Sequence, residues 1–167
     1  MASRRPGSRR RTKPDPAARL ARVARRVLAW EGAARARVEL TLLDGRAMRR
    51  LNRRATGRRG LTDVIAFTLP QPDGTMLGDV YLCPQAAAAW VESVTRHTSH
   101  VARVRRRTAG DMRRVTRDVE EELVRLAVHG TLHLLGYDHP AGPGRTGSAM
   151  WRLQERYVRR VLNGRGG

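Results

Sequence analysis

The chain alternates between stretches of helical period and stretches of strand period. From Pro16 to about Trp30, Leu20, Val23, Val27 and Leu28 fall on one apolar stripe, with Arg22, Arg25 and Arg26 elsewhere, which predicts an amphipathic helix. In "ARVELTLLD", Val38, Leu40 and Leu42 alternate with Arg37, Glu39 and Thr41, the period of a half-buried strand. Asp44-Gly45 ends it, and "RAMRRLNRR" reads as a short, very basic helix. "LTDVIAFTLP" and "TMLGDVYLCP" are two further strands, and the "QPDG" between them is a turn signal, so they are expected to pair as a hairpin. A helix follows from Pro84 through "QAAAAWVESVTRHTSHVARV", and "RRRTAGD" breaks it. A long helix is predicted from about Met112 to Leu135, stopped by Gly136. "HPAGPGRTG" reads as a loop, and the last helix starts near Ser148 with Met150, Leu153, Tyr157 and Val161 on one face. No internal repeat is visible.

These elements predict one domain over residues 16–163, preceded by a disordered basic tail over residues 1–15. Hydrophobic residues make up 40% of the 167 and charged residues 29%, enough apolar material for a core. No apolar run approaches the ~20 residues of a transmembrane helix. The N-terminus is basic without an apolar core, so a solvated tail is expected rather than a secretory signal. Cys83 is the single cysteine, which excludes an internal disulfide or a cysteine zinc cluster; ahead of Pro84 it is expected to be buried. A cytoplasmic location fits this cysteine usage.

Charge narrows the partners. Lys and Arg number 34 against 15 Asp and Glu, a formal net charge of +19, and Lys13 is the only lysine. Such a field attracts polyanions, with RNA or DNA the default partner, although an arginine-rich coding bias leaves part of it as solvated surface.

Chemistry concentrates in "VHGTLHLLGYDH", residues 128–139. His129 and His133 are one helical turn apart on one face, so both imidazoles reach one metal. Gly136 lets the helix end and His139 swing back as a third ligand. Three protein nitrogens leave a fourth tetrahedral position open, the arrangement of catalytic rather than closed structural zinc sites. One Zn2+ is the expected ion; three imidazoles also suit nickel or copper. The spacing is that of a large class of metalloproteases, with Gly130 in place of the glutamate that serves them as general base. His97 and His100 stand alone in an arginine-rich helix and are expected at the surface.

The stretch from His129 to His139 resembles the YbeY family, whose motif H-G-x-L-H-L-x-G-Y-D-H is matched at every fixed position. "LNRRATGRRGLTDVIAFTL", "LGDVYLCP" and "MWRLQE" add family-like blocks, so the resemblance spans about residues 36–162. It implies an α+β fold: a small mixed β-sheet packed with helices, with a zincin-like metal site at the end of a long helix. It implies that His129, His133 and His139 bind zinc. The implied activity is a metal-dependent, single-strand-specific endoribonuclease in rRNA maturation, at the 16S rRNA 3′ end, with the small ribosomal subunit as partner.

The chain departs from the family at two places. Thr56 stands where many members carry an arginine, and Arg59 where an acidic residue is frequent. Arg54, Arg58 or Arg59 could take over the phosphate contact, with Arg58 and Arg59 the preferred candidates; a solvated basic loop is the alternative. No general base can be assigned. Asp138 could orient a ligand imidazole, Glu122 is ~10 Å of helical rise from His129, and Asp63 and Asp79 are expected to be structural. Two rival readings remain: a non-catalytic, zinc-containing rRNA-binding assembly factor, and a metal-dependent hydrolase of another class. Gly130 argues against a peptidase, and the charge favours phosphate over peptide.

Overall fold

The computed structural model describes residues 15–98 and 109–164. Its elements are α1 (Pro16–Trp30), β1 (Ala36–Leu42), α2 (Gly45–Thr56), β2 (Val64–Pro70), β3 (Met76–Leu82), α3 (Pro84–Thr98), α4 (Ala109–Leu134) and α5 (Ala149–Asn163), with a 3₁₀ turn at Arg145–Gly147. All but Asp15 of the anticipated basic tail lies outside the described residues, as do His100, the His97 side chain and most of the break expected after the third helix.

The helices begin where local chemistry satisfies their free N–H groups. The Asp15 carboxylate accepts from Ala17 N at 3.1 Å, with Pro16 opening α1. Asp44, expected as a strand terminator, also caps α2 by accepting from Ala47 N at 2.7 Å. Ser148 does the same for α5 through Trp151 N. The predicted stripe of α1 is buried at Leu20, Val23, Val27 and Leu28, and that of α5 at Met150, Tyr157 and Val161 with Leu153 partly buried. Cys83 is buried and free.

The sheet is mixed, in the order β1-β3-β2. β2 and β3 form the anticipated antiparallel hairpin, with Ala66 opposite Val80. β1 runs parallel to β3, with Leu40 opposite Val80, so α2 and β2 lie in sequence between two strands that are neighbours in the sheet. The alternation along β1 and β3 turns Val38, Leu40, Gly78, Val80 and Leu82 towards the helices.

The central element is α4, which packs on the sheet and on α1, α3 and α5. Its C-terminal half is buried almost all round, through Leu123, Val124, Leu126, Ala127, Val128, Leu132 and Leu134. Close packing on the strands depends on two residues without side chains. A Cβ on Gly130 would stand 2.7 Å from Val80 Cγ1, and one on Gly78 would stand 2.5 Å from Leu134 Cδ1. Among the described residues, no helix is long and apolar enough to cross a membrane.

Candidate metal centre

The last turns of α4 carry His129 and His133, and their Nε2 atoms lie 3.0 Å apart. The helix then ends in a left-handed turn at Gly136, φ 85°. Tyr137 N donates to Leu132 O at 3.1 Å and Gly136 N to His133 O at 3.0 Å, the paired bonds of a Schellman ending. This reversal returns His139 to the helix end. One ring nitrogen from each of the three histidines lies within 4.8 Å of the others, a group able to hold a metal ion.

The proton on each ring is fixed by its neighbour. His129 Nδ1 faces Gln154 Oε1 at 2.8 Å, His133 Nδ1 faces Tyr137 O at 3.0 Å, and His139 Nδ1 faces Pro140 O at 3.0 Å. The two backbone oxygens can only accept. The Gln154 amide is oriented the same way, because its NH2 donates to Glu155 Oε1 at 3.1 Å. Arg125 holds that carboxylate, its Nε donating at 2.9 Å, while its Nη1 donates to Glu122 Oε2 at 2.7 Å. Each neutral imidazole therefore carries its proton on Nδ1 and turns the Nε2 lone pair inward.

Three converging lone pairs repel one another unless a cation shares them. His139 Nε2 is buried and has no hydrogen-bond partner among the described residues. The donor set thus fits a borderline-soft divalent ion such as zinc, with three neutral imidazoles and room for an exchangeable ligand. Burial, the largest cause, pushes the His129 pKa down to about 4. Burial and then the neighbouring His139 lower that of His133. Both shifts favour the neutral form that ligates metal.

The acidic candidates are occupied elsewhere. Glu122 is buried against Arg125. Asp138 is exposed and accepts from His139 N at 2.8 Å; its carboxylate stands 3.9 Å from His133 Nδ1, where the Tyr137 carbonyl has taken the hydrogen bond. Asp63 meets Thr62, and Asp79 meets Tyr81. No carboxylate among the described residues hydrogen-bonds an Nε2 of the triad. Gly130 explains the missing protease-type base: its position faces Val80 and Val64, with no room for a glutamate.

Arg58 and Arg59 are exposed between α2 and β2, and their side chains make no hydrogen bond or ion pair among the described residues. The structure does not join them to the triad. Thr56 has a local role: its hydroxyl lies 2.9 Å from both the carbonyl and side-chain oxygens of Asn52, and it accepts from Arg58 N at 3.2 Å. Sequence reasoning missed Gln154, although a polar residue among Met150, Tyr157, Val158 and Val161 on the buried face of α5 was a usable signal.

The family model described as "Endoribonuclease YbeY" matches residues 9–162. A protein of that name from Mycobacterium sp. (strain KMS) is 34% identical over 115 residues, which cover 62% of this chain and 53% of the relative. Another, from Mycobacterium tuberculosis (strain ATCC 25177 / H37Ra), is 34% identical over 134 residues, covering 74% of this chain and 63% of the relative. The chain thus spans between half and two thirds of the length of the curated relatives it matches. The solution structure of TM1509 from Thermotoga maritima aligns over 88% of this chain and 84% of that one, at 25% identity and a TM-score of 0.49. The extent of the family match, together with the histidine motif it contains, shows that this chain belongs to the YbeY family.

Proposed function

We propose that the chain is a zinc-dependent, single-strand-specific endoribonuclease acting in the cytoplasm on rRNA of the small ribosomal subunit. Residues 16–163 form its single domain in this reading. His129, His133 and His139 hold one ion through Nε2. The observation that carries the reading is the inward convergence of three Nε2 lone pairs in a chain of net charge +19.

When bound, zinc supplies Lewis-acid polarisation of a phosphoryl oxygen and lowers the pKa of a water ligand. The chain's own residues do the rest. Gln154, Tyr137 O and Pro140 O hold the three imidazoles in their ligating tautomer. The surface arginines, Arg58 and Arg59 among them, draw in and track the RNA backbone. Peptide hydrolysis needs a positioned base and an acid for the amine. RNA carries its own 2′-hydroxyl nucleophile, so a site with no carboxylate hydrogen-bonded at its inward Nε2 atoms suits phosphodiester cleavage better.

Metal-defined protein, wild type beside His129→Ala, tests this on single-stranded RNA. Loss of cleavage in the variant, with folding and RNA binding kept, is the expected result. Cleavage that persists without metal overturns it. RNA binding with no cleavage by the zinc-loaded wild type points to a non-catalytic assembly factor.

A further inference from the structure

Trp30, the last residue of α1, gathers two arginines from different helices. The guanidinium carbon of Arg26 lies 5.3 Å from the centroid of its ring, and that of Arg160, on α5, lies 4.3 Å from it. Tyr157 packs on the same ring at 5.0 Å. Arg26 also reaches the end of α5, where a Cβ on Gly164 would stand 3.3 Å from its Nη2. Both arginines are exposed, and neither makes a hydrogen bond or ion pair among the described residues. Arg22 and Arg156 stand one helical turn before them, also exposed and without ion pairs. Glu31, the carboxylate next in sequence to Trp30, is occupied by the hydroxyls of Tyr137 and Tyr157.

An ordinary surface arginine must be ordered before it can hold a ligand. A guanidinium over an aromatic face is already restrained, while its N–H donors stay available. The ring offsets part of the charge, and no carboxylate answers the rest. Two helices thus present fixed, unpaired guanidiniums on one ring, with a further arginine behind each. A phosphodiester backbone is the polyanion whose chemistry matches them. Arg58 and Arg59 have no comparable anchoring.

The ring also lies close to the metal centre. The Tyr137 hydroxyl donates to Glu31 at 2.6 Å, and the Tyr137 carbonyl faces His133 Nδ1 at 3.0 Å, so Glu31 and Tyr137 alone link Trp30 to a ligand histidine. We propose that Arg26 and Arg160, held on Trp30, form a clamp for the phosphodiester backbone of single-stranded RNA beside the metal centre. The clamp binds phosphates away from the scissile bond and positions the strand, taking no part in the chemistry. This deepens, and rests on, the ribonuclease reading above.

The test measures binding of 2′-O-methylated single-stranded RNA to the zinc-loaded full chain over a range of salt concentrations. Arg26→Gln with Arg160→Gln is expected to weaken binding about tenfold or more. The slope of log affinity against log salt should become shallower by about 1.4, the loss of two phosphate contacts. Arg113→Gln with Arg114→Gln, which removes the same charge from an exposed part of α4, should change the slope little. Arg26→Lys with Arg160→Lys should keep the slope and lose part of the affinity. On cleavable RNA, the Arg26→Gln, Arg160→Gln protein should show KM raised about tenfold with kcat near wild type. Equal losses in the two glutamine pairs overturn the clamp and leave only the general field of the chain. So does a fall in thermal stability with RNA binding unchanged, the mark of arginines that only pack on Trp30. If zinc-loaded wild type cleaves no RNA, yet its binding depends on Arg26 and Arg160, the ribonuclease reading fails and the clamp stands. If cleavage is intact and binding ignores both arginines, the clamp alone fails.

Discussion

Gln154 Oε1 accepts from His129 Nδ1 at 2.8 Å, joining α5 to the first histidine of the motif. The bond is buried at both ends, and the Gln154 amide is held in turn by Glu155 and Arg125. Outer partners of this kind fix ring orientation and raise ligand basicity. Gln154→Leu is expected to weaken zinc binding by about tenfold or more, while Gln154→Glu, which keeps an acceptor, should retain most of it. Chelator competition on both variants checks this. Unaltered affinity in Gln154→Leu would show that α4 and the Gly136 turn orient His129 unaided.

Gly130 makes a second prediction, this time about packing. A methyl group there meets Val80 Cγ1 at 2.7 Å, and Val80 is fully buried in the middle of the sheet. Gly130→Ala should destabilise the protein by about 1–3 kcal/mol through overpacking, read from the denaturant midpoint. Gly130→Glu, which rebuilds the protease-type sequence, should fail to fold rather than acquire peptidase activity. A well-folded Gly130→Glu protein of unchanged stability would contradict this account.

Proton binding at the triad gives metal-free protein a distinct pH dependence. The His129 pKa is lowered from 6.5 to about 4, and His133 shifts in the same direction, so the unfolded chain binds more protons between those values. Stability from this source is complete above pH ~6.5 and is lost as pH falls towards ~4. For His129 alone the change is at most about 3 kcal/mol. Asp44, Asp73 and Glu155 have lowered carboxyl pKa values and lose their contributions mainly below that window. Denaturation midpoints of zinc-free protein between pH 7 and 4.5 should therefore fall steadily. A flat profile across that range would refute the burial argument.

The parts legible in the sequence are those set by neighbouring residues. α1 announces itself through Pro16 and its apolar stripe, and the hairpin through two strand-like runs and the Gln71–Gly74 turn between them. The parallel pairing of β1 with β3 does not, because Ala36 lies opposite Met76 across an intervening helix and strand, and alternation is the same for any neighbour. The three ligand histidines are legible because one turn of helix and a glycine stop dictate their convergence. Their Nδ1 partners are less so: two are main-chain oxygens, aimed only once the turn exists, and the third comes from α5. Gly130 was visible as the absence of a base. That it is also the contact point of α4 with the sheet follows only from where Val80 and Val64 lie.

Glu31, at the end of α1, accepts from the hydroxyls of both Tyr137 and Tyr157 and so ties the turn after α4 to α5. The two bonds differ in setting. Tyr157 is 7% exposed and packs on Trp30 at a ring distance of 5.0 Å, whereas Tyr137 is 36% exposed. Burial and then the Glu31 hydrogen bond push the Tyr157 pKa up to about 12. Tyr157→Phe should therefore cost about 1–2 kcal/mol, and Tyr137→Phe less than about 0.5 kcal/mol. Neither should change zinc affinity by much, because Tyr137 serves His133 through its carbonyl, which phenylalanine keeps. Thermal denaturation and zinc titration of the two variants provide the check. A large loss of zinc affinity in Tyr137→Phe would mean that the Glu31 bond, rather than the Gly136 turn, aims that carbonyl.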